Sequence, residues 1–270
     1  MKSHKHGTKR ICTFESYKFP PAMKPIKVFL LLLSLTILSC QRFVYKPYNE
    51  AKAKARYEQS LINTSDISKE TVVNNLLSPA LDSSQFLWKK INSKNYLLVV
   101  MWKKAGDIKY YQNDCTSGFY NTQNRYNFVT IVPELKNMCR EKNFGLSQGV
   151  NLRLEELLGI PQQSNKEYFV EAWVQPDDLI RPCRDRETND RTCGLMEGDT
   201  TVQAYKTYLN WLATGNAGYP FTQLGYTYDW NKSNHTHEGL SEFLIDQQSK
   251  IVIKDFIETC DYCYVTKIRK

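Results

Sequence analysis

The sequence predicts an α+β fold, a mainly antiparallel sheet with several short helices, stapled by disulfides. Three observations carry this expectation. Apolar and β-branched runs follow one another with turn-forming residues between them, as in hairpin-linked strands. Helical patterns are scattered among those runs instead of alternating with them, which argues against a parallel α/β sheet. Finally, six cysteines remain once the N-terminal segment is set aside, an even number.

The elements follow in order. Residues 1–22 are basic, contain Pro20-Pro21, and are expected to be an upstream extension outside the fold, with Met23 the better start. Residues 23–39 read as a leader and residues 40–65 as an anchor and flexible tether, in which "NEAKAKARYEQS" can form a loose helix. One globular unit is expected over 66–270. "SKETVVNNLL" can be a helix capped by Ser68, and "SSQFLWKKI" a second short one. "NYLLVVMWK", "KAGD" and "IKYYQ" read as strand, turn and returning strand, and "YNFVTIV" as a further strand. Pro133 suits the first turn of a helix over "PELKNMCREKNF".

"NLRLEELLGI" gathers Leu152, Leu154, Leu157 and Leu158 on one side, with Gly159 as its stop. "EYFVEAWVQ" carries apolar residues on both faces, the pattern of a central strand. "TVQAYKTYLNWLATG" is amphipathic, with Val202, Tyr205, Tyr208, Leu209 and Leu212 as its stripe, Asp199 or Thr200 as its cap and Gly215 as its stop. "TQLGYTYDW" and "GLSEFLI" read as two strands, and "IVIKDFIETCDYCYV" ends the chain.

The leader is "MKPIKVFLLLLSLTILSCQ". Lys24 and Lys27 flank an apolar run over 28–38. That run is short of the roughly 20 residues a bilayer-spanning helix needs, and it has the length of a signal-peptide core. Its end, Ile37-Leu38-Ser39-Cys40, resembles the lipobox of bacterial lipoproteins. The resemblance implies an acylated Cys40 (palmitate among the acyl groups) as the new N-terminus, a signal peptide removed, and a membrane-anchored protein of the cell envelope. Gln41 in place of aspartate implies the outer membrane if the host is Gram-negative.

Charge narrows the partners. The whole chain is +8, but seven of its 36 basic residues and one of its 28 acidic residues lie in 1–39, leaving 29 against 27. No basic stripe remains for a run of phosphates, so nucleic acid is not an expected partner. Cys12 and Cys40 set aside, loop closure favours neighbours: Cys115–Cys139, Cys183–Cys193 and Cys260–Cys263.

"WVQPDDLIRPC", a cysteine ten residues on, "GYPFTQLGYTYDW" and "GLSEF" together resemble a set of uncharacterised bacterial exported proteins, over residues 127–243. The resemblance implies one fold unit there and no particular activity.

Four groups of residues are candidates for a site. The charged loop over 176–193 holds Asp178, Arg181 and Asp185, and its charges either serve a ligand or pair with one another. Tyr226, Tyr228 and Trp230 stand near Asp229 and Glu242, and aromatics beside carboxylates suit a glycan or peptide cleft. Two of these acids in one cleft would suit acid–base hydrolysis. His235 and His237 of "HTHE" are weak candidates as metal ligands. "CDYC" near the chain end reads as structural, because redox chemistry wants the first cysteine at the start of a useful helix. Gly-rich phosphate loops and H-E-x-x-H are absent from the sequence, and no cofactor is expected. The leading expectation is an envelope lipoprotein whose domain binds a ligand or an envelope partner (protein, peptide or glycan) without catalysis. The alternative is a carboxylate-dependent hydrolase using Asp178, Asp185, Asp229 or Glu242.

Overall fold

The computed structural model describes residues 49–65, 68–194, 203–213 and 218–264. The leader, Cys40, Gln41, the expected domain start at Asp66, Val202, and the cap and stop at Asp199, Thr200 and Gly215 lie outside the described residues, as does the side chain of Tyr205. Among the described residues no helix is long and apolar enough to cross a membrane.

Eight described strands form one antiparallel sheet, as expected: β1 (Trp88–Ile91), β2 (Lys94–Lys103), β3 (Tyr120–Asn121), β4 (Asn127–Ile131), β5 (Tyr168–Val174), β6 (Leu179–Ile180), β9 (Phe243–Ile245) and β10 (Lys250–Glu258). Their order is β3-β10-β5-β2-β4-β9-β6, with β1 on β2. β7 (Tyr226–Tyr228) and β8 (Glu238–Ser241) make a separate two-stranded ribbon. β5 lies between β10 and β2, as its two apolar faces predict. Alternation along β2 and β5 builds a core on each side of the sheet. Leu97, Val99, Met101, Val170 and Ala172 face one side, where Phe86 and Tyr111 cover them. Leu98, Val100, Trp102 and Phe169 face the other, which helices cover.

Those helices are α2 (Val132–Cys139), α3 (Val150–Leu157) and α5 (Thr259–Cys263). α2 starts at Pro133 as expected but stops at Cys139. α3 buries Leu152, Leu154 and Leu157 and ends before Gly159, whose φ of +61° is one that glycine adopts without strain. α4 (Gln203–Ala213) packs Leu209 and Leu212 against Phe221 and Leu244. α1 (Glu50–Asn63) falls within the segment expected to be a flexible tether. It is instead docked: Asn49 caps it through Lys52 N at 2.9 Å, and Ala53, Tyr57 and Ser60 are buried.

Four local expectations are corrected. β2 does not turn at residues 104–107 into a returning strand, because residues 105–110 form a 3-10 turn. Its hairpin partner is β1, joined by Asn92 and Ser93 with φ of +48° and +66°, the left-handed pair that a tight two-residue turn requires. The helix expected over "SSQFLWKKI" is thereby a 3-10 turn at Ser83–Gln85 followed by β1. "SKETVVNNLL" makes only the turn Lys69–Thr71, because Val72 and Val73 are drawn onto the cluster around Leu76, Leu224 and Tyr226. "GLSEFLI" is not one strand: β8 pairs with β7 and β9 with β4, with Glu242 between them.

Two disulfide pairs are defined, Cys183–Cys193 as expected and Cys139–Cys263, separated by 124 residues. The second excludes the neighbour pairings Cys115–Cys139 and Cys260–Cys263; Cys115 and Cys260 are disulfide-bonded as well. Loop closure favours neighbours only in the unfolded chain. Packing sets α2 and α5 on one face of the sheet, where Cys139 and Cys263 share a core with Tyr262.

Candidate functional site: an aromatic cavity between two splayed strands

β2 and β4 pair only at Val99–Ile131 and Val100–Thr130. Beyond that point β4 turns to β9, through Val129–Phe243, Phe128–Leu244 and Asn127–Ile245. The gap that opens between the two strands holds a cavity of about 360 Å³. One wall is the free edge of β2 near Trp102, and the other is Tyr126, Phe128 and Thr130. The turn after α3 at Gly159, the segment at Tyr219 and Phe221, and the Tyr208 and Trp211 face of α4 close it. Tyr208 stacks on Tyr126 with ring centres 4.7 Å apart, and its ring centre lies 6.2 Å from that of Trp211. Trp211 and Tyr219 are nearly half exposed, and so form the mouth.

The free edge of β2 needs hydrogen-bond partners. Lys103 O accepts from Glu167 N at 2.9 Å on the β5 side, so the preceding carbonyl, Trp102 O, faces the gap. Lys166 donates to it from Nζ at 2.9 Å. Lys166 and Lys103 both line the cavity, and burial holds both amines down to about 8. Lys103 Nζ also stands 5.3 Å from the centre of the Tyr111 ring.

Glu242 also lines the cavity. Its backbone N–H donates to Gly225 O at 2.9 Å, which fixes the crossing from β8 to β9. The β4–β9 register, continued one step past Val129–Phe243, places Thr130 across from Glu242 on the face of Phe128 and Leu244. Both line the cavity. The Glu242 carboxyl has no ion-pair or hydrogen-bond partner among the described residues, and burial alone pushes it up to about 8. Thr130 Oγ1 is buried without a hydrogen-bond partner. The neighbouring Glu134 is also pushed up to about 8 by burial, but it is engaged: it accepts from Ser241 N at 3.2 Å.

The other nominated residues fall elsewhere, mostly in the framework. Arg181 is fully buried, donates from Nη2 to Leu77 O at 3.1 Å and to Asp190 O, and lies 5.4 Å from the Phe243 ring centre. The disulfide loop is fastened by Arg186–Asp246 at 2.7 Å and Arg191–Asp82 at 2.6 Å, so its charges pair with the body of the protein. Asp185 is half-buried, and its backbone carbonyl faces Cys183 Sγ. Burial raises the Asp178 carboxyl, whose backbone carbonyl accepts from Asp246 N. Asp229 is clamped by both Nη atoms of Arg153, at 2.9 and 2.6 Å. Trp230 donates from Nε1 to Glu155 O and Ile160 O, and Tyr226 donates to Thr71 O. Tyr228 alone of the three aromatics reaches the cavity, while its hydroxyl accepts from Asn63 of α1. His237 stacks on Tyr228 at 4.7 Å with Nδ1 2.8 Å from Asp229 O, and His235 is exposed. Among the described residues no three His, Cys, Asp or Glu side chains converge as metal ligands would.

Of the four nominated carboxylates, then, Glu242 stands in the cavity, and Asp178, Asp185 and Asp229 have separate surroundings. Thr130, Tyr126, Tyr208 and Trp211 go unnoticed in the sequence as site residues. The one available signal is Trp211, a large aromatic beside the apolar stripe of α4 and not within it. Protein-family models, curated proteins and solved structures were compared with this chain, and none matches it.

Proposed function

We propose that this protein is a lipid-anchored cell-envelope protein whose domain binds a small ligand, or the end of a larger one, in the cavity between β2 and β4. The observation that carries the binding part is the aromatic cavity itself. It is concave and mostly apolar, with a few polar groups, the composition of a ligand site. The hydrolase alternative draws support from the raised carboxyl of Glu242, the property of a general acid. It also needs a second carboxylate within roughly 5–10 Å, and Glu242 is the sole carboxylate among the described lining residues. Binding without catalysis is therefore the better-supported reading. The anchor rests on the lipobox resemblance at Cys40.

The test uses the purified full chain and a panel of peptides, glycans and small aromatic compounds, read by melting temperature and tryptophan fluorescence. A ligand raises the melting temperature in proportion to its occupancy. Trp211→Ala and Tyr208→Ala should abolish that rise. Ligands that raise it equally in both variants bind elsewhere, and the cavity reading would then be wrong.

A further inference from the structure

We infer that the cavity takes a compound bearing a primary ammonium group, its charged head held by Glu242 and Thr130 and its apolar body laid along the aromatic walls; this rests on the ligand-binding reading above. Three features point there. The Glu242 carboxyl and Thr130 Oγ1 stand across from one another on one face of the β4–β9 pair, and both line the cavity. Thr130 Oγ1 is buried without a hydrogen-bond partner, although buried polar groups are ordinarily paired, and the half-buried Glu242 carboxyl has no ion pair or hydrogen bond among the described residues. The surroundings are aromatic, with the Tyr208 ring stacked on Tyr126 and Phe128 6.5 Å from Tyr208. Ring faces attract cations, most strongly where water is excluded.

The donor count selects the head group. A carboxylate and a hydroxyl oxygen together offer acceptors for all three N–H bonds of a primary ammonium. A carboxylate head would be repelled once Glu242 ionises, and a neutral hydroxyl gains no charge pairing from it, whereas a cation gains an ion pair when the acid gives up its proton. The cavity's own cations do not fill this role. Lys166 is spent on Trp102 O and Lys103 is directed to the Tyr111 ring, and neither perturbs Glu242. Tyr208 does sense the Glu242 charge, and Glu134 is bonded to Ser241 next door. A bound ammonium favours the ionised carboxylate, so a proton leaves Glu242 as the cation enters: O–H breaks, the proton goes to solvent, and the ion pair forms.

The experiment uses the full chain and three probes of one shape: 2-phenylethylammonium, 2-phenylethanol and 3-phenylpropionate. Binding is followed by Trp211 fluorescence and calorimetry. The cation should bind at least tenfold tighter than the alcohol at pH 8, and its affinity should fall about tenfold for each pH unit below that, as proton linkage requires. At pH 7, calorimetry in buffers of different ionisation enthalpy should show close to one proton released per cation bound. Glu242→Gln should remove both the preference and the pH dependence, and Thr130→Val should weaken the cation more than the alcohol. Since the proton count is taken on the unaltered chain, the test survives a variant that misfolds. Equal binding of cation and alcohol with no proton release overturns the ammonium assignment and leaves the cavity reading standing, as does tighter binding of the anion. If none of the three binds and unrelated ligands also ignore the cavity substitutions, both readings fall.

Discussion

At the scale of single residues, the molecule holds several acids whose charge it treats in opposite ways. Glu134 and Glu242 are held up to about 8 by burial, from an ordinary value of 4.5. The unfolded chain loses these protons near pH 4.5 and the folded chain near pH 8, so in that window the folded state binds more protons. Stability must therefore fall as pH rises from about 4.5 to about 8, by at most about 1.4 kcal/mol per unit for each group. Lys103 and Lys166, held down to about 8, act in the opposite sense and only above that pH. Melting curves across this range should slope downward for the native chain and flatten for the double variant Glu134→Gln/Glu242→Gln. An unchanged slope would show that other groups set it. Asp229 is the contrary case. It is 1% exposed and doubly bonded to Arg153. Asp229→Asn removes the two short charged bonds of a mostly buried guanidinium, leaving it only Glu156 at 3.9 Å, and should cost about 3 kcal/mol, whereas Asp185→Asn, with no such ion pair to break, should stay within about 0.5 kcal/mol. Denaturant midpoints compare the two directly, and equal costs would contradict the ion-pair account.

At the scale of elements, what the sequence makes legible is local, and what it hides is long-range. The central place of β5 can be read from two apolar faces in seven residues, and α3 from its leucine spacing and Gly159. The β1–β2 turn was also local, in Asn92-Ser93, but the run "SSQFLWKKI" reads as helix unless strand pairing is known. Glu171 was hidden altogether. It is fully buried on β5 between Lys136 of α2, at 3.1 Å, and Lys254 of β10, and no short stretch of sequence contains all three. Likewise the cavity exists only because β4 leaves β2 for β9. The Cys139–Cys263 pairing is of the same kind and has a measurable consequence. It closes a separation of 124 residues, against 10 for Cys183–Cys193. In the chain-entropy account the longer closure restricts the unfolded chain more, and its loss should cost about 4–5 kcal/mol against about 3 for the shorter one. Cys139→Ser/Cys263→Ser should therefore lower the melting temperature further than Cys183→Ser/Cys193→Ser. A non-reducing tryptic digest should also join the Cys139 peptide to the one bearing Cys263, and a Cys260–Cys263 intrapeptide bond in that digest would contradict the fold.

At the scale of the whole molecule, α1 decides how the domain is held. Its inner face meets the body in four places. Tyr57 packs edge-on to Trp230 with ring centres 5.8 Å apart, and its hydroxyl donates to Gly218 O. Arg56 pairs with the buried Glu156 at 3.2 Å, and Asn63 donates to the Tyr228 hydroxyl at 2.9 Å. The third and fourth contacts end on α3 and on a residue of the cavity wall, so the helix belongs to the body and not to a tether. If Cys40 is the lipid site, nine residues, 41–49, separate it from Glu50 at the start of α1, and the ten Cα steps between the two cannot reach further than about 35 Å. The start of α1, and the body it is docked to, would then be held on that short leash instead of on one of 25 residues. A protease needs its target unfolded, so a docked α1 should resist cleavage at Lys52, Lys54 and Arg56 although the two lysines are exposed. Limited trypsin treatment of the native chain should leave all three bonds intact, and amide exchange at Tyr57 and Ser60 should be as slow as in α3. Tyr57→Ala, which removes the ring from Trp230, should expose the same bonds while the sheet persists. Early cleavage at Arg56 in the unaltered chain would instead mean that α1 detaches freely and the leash is long.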